Sequence, residues 1–73
     1  MSEYAVIITH SNSHAIRVEK ILLTAGLEAK MIPVPRHISS DCGIAVRIPA
    51  GQVEESKRLM HEKKAPYDRV ELI

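Results

Sequence analysis

The 73-residue chain contains no phenylalanine and no tryptophan, and its only aromatic residues are Tyr4 and Tyr67. A core must therefore be built from aliphatic side chains. Hydrophobic residues still make up 45% of the chain, which predicts a folded domain rather than disorder. We expect a single domain, residues 1–73, because the length is near the lower limit for independent folding. An aliphatic core of this size supplies only about 3–5 kcal/mol of net stability, which favours self-association.

Charge of one sign is also lacking, since the formal net charge is only +1. This argues against a nucleic-acid partner that is bound through many phosphates, and against a polybasic membrane anchor. No apolar run approaches the roughly 20 residues needed to cross a bilayer. The first residues have an acidic Glu3 and no basic segment of the kind that begins a signal peptide. We therefore expect a cytoplasmic protein with no membrane and no nucleic-acid partner.

Cysteine is nearly absent, because Cys42 is the only one in the chain. An internal disulfide and a CxxC pair are thereby excluded, and in a reducing cytosol the thiol is expected to be free. Cys42 lies in the polar stretch RHISSDCG, residues 36–43, rather than in an apolar run. A lone cysteine is ordinarily interpreted as a small, buried, apolar residue. The neighbouring Ser40, Asp41 and Gly43 are loop-forming residues and favour an accessible position instead.

Alternation and apolar runs predict four strands and two helices. The strands are expected at residues 4–10, 28–35, 43–48 and 68–73, and the helices at about 14–25 and 51–64. The order βαββαβ predicts a ferredoxin-like α/β sandwich of the α+β kind, with an antiparallel sheet of spatial order 4-1-3-2 and both helices on one face. Pro33 and Pro35 require an edge position for the second strand. The uninterrupted apolar run of the first strand requires a central one.

Two details of the first helix can also be predicted. Asn12 or Ser13 is expected as the N-cap and Gly26 as the residue that ends the helix. Glu19 falls inside the apolar arc of this helix, so its carboxylate needs a partner. We expect an ion pair with an arginine.

The predicted topology brings two unusual polar stretches of the chain to one end of the sheet. The first follows strand one and contributes His10, Ser11, Asn12, Ser13 and His14. The second follows strand two and contributes Arg36, His37, Ser39, Ser40 and Cys42. The N-terminus of the first helix opens at the same end, and its N–H groups together with Arg36 favour the thiolate. Asp41 opposes this effect, so we expect a modestly lowered pKa for Cys42.

The sequence gives weaker support for a metal site, an RNA-binding sheet or a phosphate-binding loop. A metal site would use His10, His14, His37 and Cys42, but His10 is predicted in a strand and His14 in a helix, so their spacing does not put them on one helical face. Sheets of this topology that bind RNA stack bases on aromatic residues, and the third strand has none. A glycine-rich phosphate loop is absent, because the three glycines are far apart.

The stretch HSNSHAIRVEKILLTAGLEAKMIPVPRHISSDCGIAVRI resembles the small selenium/sulfur (Se/S) carrier proteins. Its most specific part is PVPRHISSDCGIAVR, which is similar to the family's PR-x-IS-x-x-CG-x-A-x-R motif. The resemblance implies that Cys42 is the carrier nucleophile. It also implies that the residues around the thiol form the binding site: Arg36, Ser39, Ser40, Gly43 and Arg47, with Ser13 and His14 from the first helix.

The expected function is therefore a carrier that holds sulfur or selenium on Cys42 as a persulfide or selenosulfide. It would pass this atom from a donor such as a cysteine desulfurase to an acceptor enzyme. No cofactor beyond the covalently held atom is expected, and the protein would be a shuttle rather than a turnover enzyme. Two alternatives stay open: a small oligomeric regulatory or scaffolding domain with an incidental thiol, and a metal-binding module. The exposed edge of the second strand, partly blocked by its prolines, and the open edge of the fourth strand both leave room for a homodimer.

Overall fold

The computed structural model describes residues 3–35 and 43–73. Within them it contains four strands, β1 (Tyr4–Ile8), β2 (Lys30–Pro33), β3 (Ile44–Pro49) and β4 (Arg69–Leu72), and two helices, α1 (Asn12–Thr24) and α2 (Val53–Glu62). The predicted order is confirmed, with one addition. A 3₁₀ turn, Ala50–Gln52, separates β3 from α2, so that α2 begins later than predicted.

The strands form one sheet in the order β2-β3-β1-β4, and every pair of neighbours is antiparallel. Counted from the other edge, this is the order 4-1-3-2 that the sequence predicts, and the α+β class is confirmed. Strand β1 is central, with Ala5–Ile8 buried. Strand β2 is an edge, as its prolines require, because a proline has no N–H to donate to a further strand.

Alternating side chains give the sheet two different faces. Both helices cover one face, where α1 and α2 pack on alternate residues of β1 and β3. Fully buried members of this core are Ala5, Ile7, Ala15, Val18, Leu22, Val46, Ile48 and Met60. The opposite face has a smaller apolar cluster of Val6, Ile8 and Ala45, with Ile32 and Val34 packed against it. Both helices on one face were predicted, and the core is aliphatic as the composition requires.

Helix α1 is capped one residue earlier than predicted. The N-cap is Ser11, whose Oγ accepts a hydrogen bond from the His14 N–H at 3.2 Å. Gly26 ends the helix as predicted, with φ of 83°. That left-handed conformation is accessible to glycine without steric cost, and it lets the Leu27 N–H donate to Leu22 O at 2.9 Å.

Glu19 has a different partner from the arginine that we expected. Its Oε2 accepts a hydrogen bond from the Met31 N–H at 3.2 Å, so it ties α1 to the edge strand β2. A backbone amide satisfies the carboxylate as an ion pair would. The side chain thereby provides an acceptor to a part-buried N–H of β2.

One end of the sheet, which we call the packed end, is held by contacts between elements distant in sequence. The Ala50 N–H donates to Glu3 O at 3.0 Å, and the Ile73 N–H donates to Tyr4 O at 3.0 Å. The Gln52 side chain makes two hydrogen bonds to the backbone of Glu28, one from its Nε2 at 2.7 Å and one to its Oε1 at 3.1 Å. The packed end therefore joins β1, β4, the 3₁₀ turn and the segment before β2.

Neither described helix combines the length and the apolar character needed to cross a membrane.

Candidate functional site

At the other end of the sheet, which we call the loop end, the chain surrounds a cleft of about 200 Å³. Strands β1 and β2 both end here, because each is antiparallel to β3 between them. The described residues that line the cleft are Ile8, Thr9, His10, Ser11, Asn12, Val34, Gly43, Ile44, Asp68 and Arg69. Four elements thus converge on the cleft: the turn after β1, the segment after β2, the start of β3 and the start of β4.

The turn from β1 into α1 forms one wall of the cleft. Thr9 Oγ1 donates to Ser11 O at 2.9 Å, and Ser11 Oγ caps the helix by accepting from His14 N–H. The Ala15 N–H donates to Ser11 O at 3.2 Å and so begins the regular helical ladder. This geometry brings the N-terminal turn of α1 to the wall of the cleft. The end of a helix with unpaired N–H groups favours negative charge nearby.

Val34 and Gly43 form a second wall, and they close the base of the loop that connects β2 to β3. The Val34 N–H donates to Gly43 O at 3.1 Å, and both residues line the cleft. Gly43 is joined to Cys42 by a peptide bond. Cys42 and the other predicted loop residues, Arg36, His37, Ser39 and Ser40, lie outside the described residues, so their roles stay predictions. Asp41 lies there as well.

Asp68 and Arg69 form a third wall that the sequence analysis missed. The Asp68 N–H donates to Ile8 O at 2.7 Å, which fixes the start of β4 beside the end of β1. Arg69 bridges two carboxylates, with Nη1 at 2.6 Å from Asp68 Oδ2 and Nε at 3.1 Å from Glu71 Oε1. The predicted strand order already contained the signal, because an antiparallel fourth strand beside the first must begin where the first one ends.

The described histidines differ in their positions. His10 is exposed and lines the cleft. His14 is half-buried in the first turn of α1, and its Nδ1 is buried without a hydrogen-bond partner in the described part of the chain. Residues 3–35 and 43–73 contain no group of three or more His, Cys, Asp or Glu placed to hold a metal ion. A metal site with His37 and Cys42 stays a prediction.

Arg47 and Ser13 are not among the described residues that line the cleft. The Arg47 guanidinium lies 4.4 Å from the centre of the Tyr4 ring. This is a cation–π contact, and Tyr4 is the residue of β1 farthest from the loop end. Ser13 is exposed in the first turn of α1. Among the predicted site residues that the structure describes, those that line the cleft are His10, Ser11, Asn12 and Gly43. The His14 N–H donates to Oγ of the N-cap residue Ser11.

Comparison with known proteins gives one result. Neither the curated proteins nor the solved structures contain a significant match to the chain. The model of one protein family, described as "Putative Se/S carrier protein-like", matches residues 3–70. The match takes in every described strand and helix, except the last two residues of β4. The chain therefore belongs to the Se/S carrier protein-like family.

Proposed function

We propose that the protein carries a single sulfur or selenium atom on Cys42, as a persulfide or selenosulfide, and that the cleft at the loop end receives this atom. The proposal rests on the position of Cys42 in the chain relative to the cleft. The two residues that close the base of the loop, Val34 and Gly43, both line the cleft, and Cys42 is the residue that precedes Gly43 in the chain. Membership of the family supports the same function.

The helix N-terminus beside the cleft suits an anion such as the terminal sulfur of a persulfide. The N-terminal turn of α1 lies on one side, with Ser11 and Asn12 in the wall. Arg69 lies on another side, where its guanidinium is paired with the Asp68 and Glu71 carboxylates, so this wall adds no net positive charge. The helix N-terminus favours a thiolate and, by the same electrostatics, a persulfide anion.

The transfer proposed here balances without an oxidant. The Cys42 thiolate attacks the terminal sulfur of a persulfide held by a donor such as a cysteine desulfurase. A new S–S bond forms on Cys42, the donor's S–S bond breaks, and its electron pair leaves on the donor thiolate. An acceptor enzyme then removes the atom by the same reaction, so Cys42 returns to a thiolate. Selenium follows the same steps, and a reducing cytosol keeps the lone thiol free between cycles.

Mass spectrometry of the intact protein tests the proposal. The chain is incubated with a desulfurase and either cysteine or selenocysteine. We expect a mass gain of one sulfur or one selenium atom that a reductant removes. Cys42→Ser must abolish the gain, because the chain has no other cysteine.

A relocated thiol provides the matched control. Thr24 is exposed at the last position of α1, at the opposite end of that helix from the cleft. The double variant Cys42→Ser/Thr24→Cys therefore presents an accessible thiol without the cleft. We expect it to load more slowly than Cys42. Equal loading of the two thiols, or no adduct on Cys42 with either donor substrate, would contradict the proposal.

A further inference from the structure

The two edge strands of the sheet, β2 and β4, differ in how well their residues block pairing with another strand. Edge strand β2 contains Pro33 and is followed by Pro35, and prolines at an edge block pairing with a further strand. Edge strand β4, with the sequence RVEL, contains neither proline nor lysine. Exposed apolar residues lie at its end, since Leu72, the last residue of β4, is 61% exposed and the following Ile73 is 37% exposed. The edge formed by β4 therefore lacks the prolines that block pairing at the β2 edge, and its charged side chains are one of each sign, Arg69 and Glu71.

The backbone of β4 presents an orderly set of groups to this edge. The Ile73 N–H donates to Tyr4 O in β1, and pairs in an antiparallel ladder alternate between hydrogen-bonded and non-hydrogen-bonded. Residues 69, 71 and 73 consequently direct their N–H and C=O groups toward β1. Val70 and Leu72 direct theirs away from β1, to the edge where no described strand pairs with them.

When two copies of β4 are placed side by side in antiparallel orientation, their side chains are complementary. Arg69 and Glu71 lie on the sheet face opposite the helices, opposite Ile8 and Val6 of β1. If Val70 of one copy lies opposite the partner's Val70, then Arg69 lies opposite the partner's Glu71, and Glu71 opposite the partner's Arg69. A shift of two residues in either direction would instead set Glu71 or Arg69 opposite itself, which is unfavourable.

We propose that a second copy of this chain pairs with β4 through its own β4, antiparallel and centred on Val70, to give a dimer with one continuous eight-stranded sheet. The backbone alternation supports this register. Val70 is one of the edge-directed residues, so the two Val70 residues form a hydrogen-bonded pair. Arg69 and the partner's Glu71 then form a non-hydrogen-bonded pair, in which side chains are closest, with Cα atoms about 4.5 Å apart.

The register also covers apolar surface that is exposed in the single chain. Leu72 and Val70 share the helix-covered face of β4, and diagonal neighbours across a strand pair are within reach of long side chains. Leu72 therefore packs beside the partner's Val70. The existing bridge from Arg69 to Asp68 and Glu71 becomes part of a network between the two copies. Since Asp68 and Arg69 also line the cleft, the strand that forms the interface contributes to both sites.

Cysteine cross-linking tests the register directly, in a Cys42→Ser background that leaves one thiol per chain. The Cα atoms of a hydrogen-bonded antiparallel pair lie about 5.5 Å apart, within the range that a disulfide spans. We therefore expect Val70→Cys to form a covalent dimer under mild oxidation. Leu72→Cys is the matched control, because the two copies of residue 72 would be four residues out of register, roughly 13 Å apart. Cross-linking of Leu72→Cys in preference to Val70→Cys would overturn the proposed register.

Charge exchange tests the interface without new covalent bonds. Glu71→Arg alone and Arg69→Glu alone each set like charges opposite one another, and we expect each to raise the dissociation constant of the dimer about tenfold or more. An equal mixture of the two variants restores both opposite-charge pairs, so it should form a heterodimer. The double variant Arg69→Glu/Glu71→Arg should form a homodimer again, and circular dichroism checks that each variant is folded.

Sedimentation velocity over a range of protein concentrations gives the readout. A chain that sediments as a monomer at every concentration would overturn the proposal and would leave the β4 edge to a strand from another protein. A dimer whose dissociation constant is unchanged in both single charge variants would also overturn it. These results are independent of sulfur loading, because none of the measurements depends on Cys42.

Discussion

The packed end and the loop end of the sheet differ in the hydrogen bonds that their residues make. At the packed end, hydrogen bonds join residues far apart in sequence, as between Gln52 and Glu28 and between Ala50 and Glu3. At the loop end, most of the hydrogen bonds that the described residues make outside the strand ladders are local, such as those that Ser11 makes with Thr9 and His14. The bonds from the Asp68 N–H to Ile8 O and from Arg17 Nη2 to Lys63 O are long-range.

This difference shows how a very small domain can combine stability with an open site. Long-range contacts at one end restrict the strands to a single register, and the same register then determines which residues meet at the other end. The loop end is consequently free to present polar groups around a cleft without supplying much of the fold's stability. Substitutions at the packed end should mainly affect unfolding, whereas substitutions at the loop end should mainly affect the cleft.

The largest expected difference between the ends comes from two isoleucines of one strand. Ile48 lies toward the packed end of β3 and is fully buried, whereas Ile44 begins β3 at the loop end and is half-buried. We expect Ile48→Ala to lower the free energy of unfolding by about 2–5 kcal/mol, because it leaves a cavity in the core. Ile44→Ala should cost well under that amount. Urea denaturation followed by circular dichroism measures both, and equal losses would contradict the distinction.

Much of the fold could be predicted because its signals are local. The prolines in and after β2 identify an edge strand, and the apolar run of β1 identifies a central one. The details that were wrong depend on tertiary geometry. Three successive residues, Ser11 to Ser13, are suitable N-caps, and the choice of Ser11 depends on where β1 ends. The partner of Glu19 is a backbone amide of β2, which no pattern of side chains reveals.

The candidate site was predicted in part. The meeting of the turn after β1 with the loop after β2 followed from the topology, and Gly43 and His10 do line the cleft. The position of Arg69 at the cleft was not predicted, because Arg69 lies in an ordinary strand and not in one of the unusual polar stretches. Arg47 was placed in the motif by resemblance. In the sheet, Arg47 lies opposite Val6 and is therefore a diagonal neighbour of Tyr4. The contact with the Tyr4 ring holds the Arg47 guanidinium toward the packed end.

A second comparison of the ends removes the side chain that ties the packed end together. Gln52→Ala deletes both hydrogen bonds to the Glu28 backbone, and each is worth about 0.5–1.5 kcal/mol. We expect the free energy of unfolding to fall by about 1–2 kcal/mol, with the loading of Cys42 unchanged. Gln52→Glu keeps the acceptor for the Glu28 N–H and loses the donor, so it should give an intermediate loss. An unchanged midpoint of denaturation in Gln52→Ala would show that this contact does not hold the packed end.

The smallest effect on stability is expected at the loop end, from the helix cap. Ser11→Ala removes the Oγ that accepts from the His14 N–H, and loss of such a cap costs about 1 kcal/mol. Ser11→Asp restores an acceptor and adds a negative charge that the helix N-terminus favours, so it should recover the loss. The measurement is the midpoint of urea denaturation at constant slope.

Ser13→Ala is the matched control for the cap, because Ser13 is exposed in the same turn, at a position within the helix rather than before it. Alanine has the higher helix propensity, so this variant should be unchanged or slightly more stable. Ser11 also lines the cleft, so Ser11→Ala should slow the loading of Cys42 although its cost in stability is small. If Gln52→Ala slowed loading as much as Ser11→Ala did, the packed end would affect the cleft as strongly as the loop end does. The assignment of stability to one end and of the cleft to the other would then be wrong.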